Sequence, residues 1–176
     1  MRVFIAAELP FELTNALSHT SALLRDTVKG RYVGPDLFHV TLAFLGEVPG
    51  ALVDDAVTSV RRACASLSPF DTTLGSLGTF GRSSSAVLWQ GFASGRDDWA
   101  RLADSVRAEL RESGLAFDEK GFIPHVTLMR RANVQRGLLP MPAIERGTID
   151  TVAVFSSDLT GARPRYEAIE RVWLGS

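Results

Sequence analysis

Two short runs hold the residues best suited to chemistry: His39-Val40-Thr41-Leu42 recurs unchanged as His125-Val126-Thr127-Leu128, so two of the three histidines share one sequence setting. At average residue usage, the chance that any two of three histidines precede the same Val-Thr-Leu run is roughly one in a thousand. In a β-strand alternate side chains share a face. His39 and Thr41 are therefore expected on one side and Val40, Leu42 and Phe44 on the other, with His125 and Thr127 opposed to Val126 and Leu128 in the same way. Two such strands, polar faces opposed across a cleft, gather two imidazoles and two hydroxyls around one small anion. An imidazole, with an ordinary pKa of about 6.5, takes a proton from water when neutral and gives one to a leaving oxygen when charged. Threonine hydroxyls can donate hydrogen bonds to non-bridging phosphate oxygens as negative charge builds in the transition state. The set suits phosphodiester cleavage and needs no metal.

Other residues offer less. Two histidines fall short of the three protein ligands that a zinc or iron site usually needs, and neither run has a carboxylate or thiol at useful spacing, so no metal and no cofactor is expected. His19, in Leu17-Ser18-His19-Thr20, belongs to an ordinary helical pattern and is assigned no role. Glu47 sits beside Gly46 in an expected turn and reads as solvated. Cys64 is the only cysteine, which excludes an internal disulfide and a cysteine-based structural zinc site; its apolar helical setting marks it as inert core.

The elements that must position these residues follow from periodicity. Arg2 to Glu8 is a β-rich run closed by Pro10, after which Leu13, Leu17, Leu24 and Val28 share a helical face. Leu52, Val53, Ala56, Val57, Val60, Ala63, Cys64 and Leu67 make a second amphipathic helix, and Trp99, Leu102, Ala103, Val106 and Leu110 a third, with Asp97 as N-cap and Gly114 as stop. Strands are expected over Phe38 to Leu45, Asp71 to Phe80, Ala86 to Gly91, Pro124 to Met129, Thr148 to Phe155 and Arg165 to Leu174. Gly81 to Ser85 and Arg136 to Pro142 read as surface loops, and Trp89, Trp99 and Trp173 as core anchors. The helices are too few to supply a crossover for every strand, so mostly antiparallel sheets follow.

The 176 residues, 45% hydrophobic, fit one compact domain, and 19 Lys+Arg against 20 Asp+Glu exclude a broad electrostatic footprint for a duplex or an acidic membrane. Only Lys29 and Lys120 are lysine; the remaining basic residues are arginine. No apolar run is long enough to cross a bilayer and no signal-peptide pattern opens the chain, so a cytoplasmic setting is the default expectation.

The segments Phe38-His39-Val40-Thr41-Leu42-Ala43-Phe44-Leu45-Gly46-Glu47-Val48 and Phe122-Ile123-Pro124-His125-Val126-Thr127-Leu128-Met129-Arg130 resemble the paired signatures of the two-histidine phosphoesterases, most of all the bacterial and archaeal RNA 2′,3′-cyclic phosphodiesterases first named 2′-5′ RNA ligases. The opening Arg2 to Pro10 and the closing Phe155-Ser156-Ser157 through Gly161 and Tyr166 match that family's ends. The resemblance implies an α+β fold: a single bilobal domain, 1–176, with pseudo-twofold halves, two antiparallel sheets facing a central cleft and helices outside. It implies metal-independent hydrolysis of a terminal 2′,3′-cyclic phosphate to a 2′-phosphate, with His39 and His125 as acid and base and Thr41 and Thr127 as phosphate-binding hydroxyls. Arg130 matches an arginine expected near the nucleotide. Strict alternation puts Arg130 on the Val126 side and Arg131 on the cleft side, so a strand end or bulge after Leu128 is needed to turn Arg130 inward. Phe122 and Tyr166 are candidates for stacking on a base, and Arg130, Arg131 and Arg136 form a basic cluster that could guide an RNA end. The expected partner is an RNA or oligonucleotide end, with no membrane and no obligate protein partner, the chain acting as a monomer. Two alternatives stand beside hydrolysis: joining of a cyclic-phosphate end to a 5′-hydroxyl as a 2′-5′ linkage, and non-catalytic binding of a phosphorylated RNA end.

Overall fold

In chain order the elements are β1 (Arg2–Ala7), α1 (Phe11–Arg25), β2 (Lys29–Tyr32), β3 (Val40–Glu47), α2 (Val53–Ala65), β4 (Phe70–Phe80), β5 (Ala86–Phe92), α3 (Arg96–Glu112), β6 (His125–Asn133), β7 (Arg146–Ile149), β8 (Thr151–Asp158) and β9 (Arg165–Trp173), with 3₁₀ turns at Pro35–Leu37 and Gly50–Leu52. They come from a computed structural model that describes residues 1–134, 139–161 and 163–176. The strands form two sheets of order β3-β1-β8-β9 and β2-β6-β5-β4-β7, every pairing antiparallel, and the two motif strands β3 and β6 lie in different sheets.

The helices cover the apolar faces. On α2 the stripe Val53, Ala56, Val57, Val60, Ala63 and Cys64 is buried against α3 and against β8 and β9, while α3 turns Leu102, Val106 and Leu110 inward and also meets β3. Helix α1 buries Leu13, Leu17 and Leu24 and lies against β7, where Gly147 leaves room for Pro10 and Leu13; a Cβ there would come within 2.8 Å of both side chains. One continuous buried cluster joins residues of both sheets, from Ile5 and Leu42 to Leu88 and Leu128. No helix among the described residues is long and apolar enough to cross a membrane.

Several local expectations need correction. Lys29–Tyr32 forms an edge strand that its mostly exposed, non-alternating residues did not announce. The run from Thr148 to Phe155 is two strands, β7 and β8, broken at Asp150, whose carboxylate accepts the Thr151 hydroxyl at 2.8 Å. Helix α3 starts at Arg96 after Gly95, whose φ of 78° makes the sharp turn out of β5, so Asp97 falls in the first turn rather than at the cap. Gly114 does end α3, with φ 69° just beyond Ser113. Glu47 lies in β3 rather than in a turn; it is exposed and pairs with the N-terminal amine at 3.3 Å. Trp173 is 57% exposed because alternation along β9 gives the inward place to Val172; only Trp99 of the three tryptophans is fully buried. Of the expected loop from Arg136 to Pro142, residues 136–138 lie outside the described residues, and so does the Arg136 member of the basic cluster.

Candidate active site

The two motifs share one backbone device. In the β1–β3 ladder Ala6 faces Thr41 but Ile5 faces Ala43, and in the β5–β6 ladder Trp89 faces Thr127 but Leu88 faces Met129; Leu42 and Leu128 are the bulged residues. Each bulge forgoes a regular ladder step worth about 1 kcal/mol. It lets two successive apolar residues, Leu42 with Ala43 and Leu128 with Met129, stay buried, where one leucine alone contributes about 1.5–3 kcal/mol. The inversion of parity then brings the residue five places after each histidine to the cleft. In the second copy that residue is Arg130, beside His39 and Thr127 in one cavity, while Arg131 is exposed with φ 53°. In the first copy it is Phe44, which strict alternation had placed on the apolar face.

Each imidazole is held by its own strand entry. His39 Nδ1 donates to the Leu37 carbonyl at 2.7 Å, and His125 Nδ1 donates to the Ile123 carbonyl at 2.7 Å. A carbonyl only accepts, so Nδ1 carries the hydrogen in both rings and Nε2 is left as the exchanging nitrogen. His39 Nε2 accepts from the Thr41 hydroxyl at 3.0 Å. Thr41 lines a groove with His125, and Thr127 lines a cavity with His39, so the two half-sites face each other.

Aromatic walls enclose both rings. Phe4 and Tyr166 lie 5.0 and 5.5 Å from His39 between ring centroids, with Phe155 behind Phe4 at 5.1 Å. Phe80 and Trp89 lie 5.0 and 5.7 Å from His125. Trp89 thus serves the cleft rather than the core, its ring folded across Gly78, where any Cβ would collide with it. These walls desolvate the imidazoles. Burial pushes His39 down to about 4, helped by the nearby Arg130 and His125 and opposed by the bond to Leu37. His125 is lowered as well, again first by burial, with its bond to Ile123 opposing and Arg130 assisting.

Tyr166 and Phe122, both candidates for base stacking, stand on different sides of the histidines. Tyr166 borders the cavity of about 410 Å³ that holds His39, Arg2, Arg31 and Arg130. Phe122 borders a second groove of about 500 Å³ with Phe44, Phe80 and His125. In that groove Arg107 is already engaged, donating at 2.9 Å to the carbonyls of Leu42 and Lys120. His19 is exposed on α1, and Cys64 is buried with its thiol pushed up to about 11 by burial; neither touches the cleft. Sequence reasoning missed Phe4, Phe80, Phe155 and Phe44 as cleft residues. Alternation within β1 and β8 carried a signal for Phe4 and Phe155, but the strand pairing that brings them to His39 did not show. Among the described residues no three His, Cys, Asp or Glu side chains converge as a metal site would require.

Solved structures share this fold. TT0787 of Thermus thermophilus superposes with a TM-score of 0.86 at 28% identity, over 99% of this chain and 98% of that one. Escherichia coli LigT complexed with 3′-AMP gives 0.86 at 29% identity with the same coverage. By sequence, the RNA 2′,3′-cyclic phosphodiesterase of Escherichia coli (strain K12) is 29% identical over 171 residues, 97% of this chain and 94% of that protein. The protein of that name from Thermotoga maritima is 29% identical over 177 residues, covering 96% and 93%. The family description of the 2′-5′ RNA ligase superfamily matches residues 31–154, which include both motif strands. Two sheets of this topology, a repeated histidine strand in each and a family match running through both make the chain a member of the 2′-5′ RNA ligase superfamily.

Proposed function

We propose that this chain hydrolyses 2′,3′-cyclic phosphate ends of RNA to 2′-phosphates without a metal, using His39 and His125 as the proton-transfer pair. The observation that carries the reading is the matched presentation of the two rings. Each is fixed through Nδ1 to the carbonyl two residues earlier, each exchanges protons through Nε2, and each has a threonine two residues on. In the proposed reaction the neutral imidazole takes a proton from water as the water oxygen bonds to phosphorus. The bond from phosphorus to O3′ breaks, and the protonated imidazole gives its proton to O3′. The products are a 2′-phosphomonoester and a 3′-hydroxyl, and solvent restores the two protonation states. In this reading Thr127, Arg130 and Thr41, its hydroxyl turned from His39 Nε2 to the substrate, donate to the phosphate oxygens, and Tyr166 stacks on the terminal base. The names borne by the curated relatives support the substrate class.

The test is digestion of a defined oligonucleotide with a 2′,3′-cyclic phosphate end, the product phosphate being located by mass spectrometry and phosphatase sensitivity. A 2′-phosphate is expected, activity is expected to survive exhaustive chelation, and His39→Ala or His125→Ala should each cost on the order of a thousandfold or more in turnover. Near-normal turnover by either variant would refute the assignment, and tight product binding without turnover would point to a binding module instead. The second groove, walled by Phe44, Phe80 and Phe122, favours one further reading: it has room for the nucleoside of an incoming 5′-hydroxyl end, so the same site run in reverse would make a 2′-5′ linkage. Ligated against hydrolysed ends of tRNA halves measure that balance.

A further inference from the structure

Arginines continue along one wall of the cleft, past the residues that face the phosphate. The cavity at His39 narrows to a neck bordered by Arg31, Tyr32 and Pro164, then opens into a hollow of about 410 Å³ edged by Arg25, Arg31 and Arg163. Among the described residues Arg25, Arg31, Arg130 and Arg163 have no carboxylate within ion-pairing distance, whereas Arg61, Arg101, Arg111, Arg146 and Arg171 are each paired. Asp36 at the rim and Asp26 near Tyr32 offset part of this charge, and against three arginines the balance there stays positive.

The far end of this wall is pre-formed. Tyr32 donates its hydroxyl to the Val28 carbonyl at 2.8 Å, and the Arg25 guanidinium stands 4.9 Å over the Tyr32 ring. A guanidinium held on an aromatic face keeps its donor edge free for an oxyanion. The opposite groove differs: Arg107 is bonded to two carbonyls, and Lys120 is paired with Asp118 at 3.0 Å. Guanidinium donors are therefore free on the Tyr166 side of the histidines and engaged on the Phe122 side.

We infer that this arginine wall binds the RNA chain on the 5′ side of the cyclic phosphate. The terminal phosphate sits at the histidines beside Arg130, the next phosphodiester meets Arg31, and the one before it meets Arg25 and Arg163 beside Tyr32. The inference rests on the proposed reaction and narrows its substrate to oligonucleotides rather than 2′,3′-cyclic mononucleotides.

The experiment compares wild type with the Arg25→Ala, Arg163→Ala double variant on two substrates, 2′,3′-cyclic AMP and an adenylate trinucleotide with a 2′,3′-cyclic end. Both arginines are exposed, and turnover of the mononucleotide reports that the variant is folded and competent. Wild type is expected to favour the trinucleotide by about tenfold in kcat/KM, chiefly through KM, because charge-assisted phosphate contacts add affinity without touching the reacting atoms. The double variant should lose most of that preference and keep only the part that Arg31 supplies at the first phosphodiester. Binding of the 2′-phosphorylated trinucleotide, read by fluorescence anisotropy, isolates the wall from the chemistry. Loss of both arginines from one phosphate should flatten its log affinity against log salt by about 0.7. Equal wild-type kcat/KM for the two substrates, or a trinucleotide preference kept undiminished by the double variant, would overturn the inference. Wild type that binds the trinucleotide product more tightly than the double variant, yet turns over neither substrate, upholds the wall and overturns the catalytic reading.

Discussion

At His39, burial decides the resting protonation state. Its pKa of about 4 lies well below the ordinary imidazole value, so this ring is neutral at pH 7. His125 is depressed too, but it is His39 that the aromatic wall of Phe4, Phe155 and Tyr166 pushes furthest. An anionic cyclic phosphate between the rings favours the charged form and draws a proton in with it. For the free protein the sign of the linkage is fixed. The unfolded chain binds a proton at His39 near pH 6.5 and the folded chain only near 4, so stability is complete above pH 6.5 and falls as the pH drops toward 4. The loss attached to this residue between pH 7 and 4 is roughly 3 kcal/mol. Urea unfolding at both pH values should show His39→Gln losing less on acidification than wild type, the carboxylates being common to both proteins. An identical acid response in the two would mean that His39 is not buried as a neutral ring. The same depression places the acid limb of kcat/KM below the ordinary histidine range.

Strands do more to shape this cleft than alternation suggests. The bulges at Leu42 and Leu128 decide which side chain arrives beside each threonine, and Gly78 decides whether Trp89 can lie flat behind His125. Gly78→Ala puts a methyl where the indole lies. It should cost about 1–3 kcal/mol of stability by overpacking and should slow turnover by tilting His125, which thermal melts and kcat would register together. Unchanged kcat would show that the Trp89 wall does not position the imidazole. This is also the scale at which the sequence was hardest to read. The pairing of His with Thr two residues on and the stripes of α2 and α3 follow from local periodicity, the antiparallel character from the shortage of helices for crossovers, and the structure has them. A bulge leaves every local propensity intact and shows only when a partner strand is laid alongside, so strict alternation puts Phe44 on the wrong face and turns Arg130 inward only on the condition of an irregularity. Phe80 and Trp89 reach His125 from two other strands of the same sheet, and no spacing within one segment reports such a neighbour. β2 escaped because an exposed edge strand has no buried face to impose a period.

Over the whole molecule, the repeated motif gives two nearly equivalent half-sites, and the rest of the chain makes them unequal. Phe44 and Arg130 occupy the same place after each histidine, one apolar and one cationic. Among the described residues, arginines with no carboxylate partner line the Arg130 side from the cleft to the hollow beyond it. The cleft therefore has a direction, although its two imidazoles are held alike. The tryptophans are distributed just as unevenly: Trp99 in the interior, Trp173 on the surface and Trp89 with its ring 5.7 Å from His125. A protonated imidazole quenches an adjacent excited indole by accepting its electron, and a neutral one does so far less. Trp89 is thus a built-in optical reporter of charge on His125. Emission should dim as His125 takes up a proton and should keep its intensity in His125→Ala. The effect of an added nucleotide on that emission would show, without any label, whether the ligand places the proton on His125.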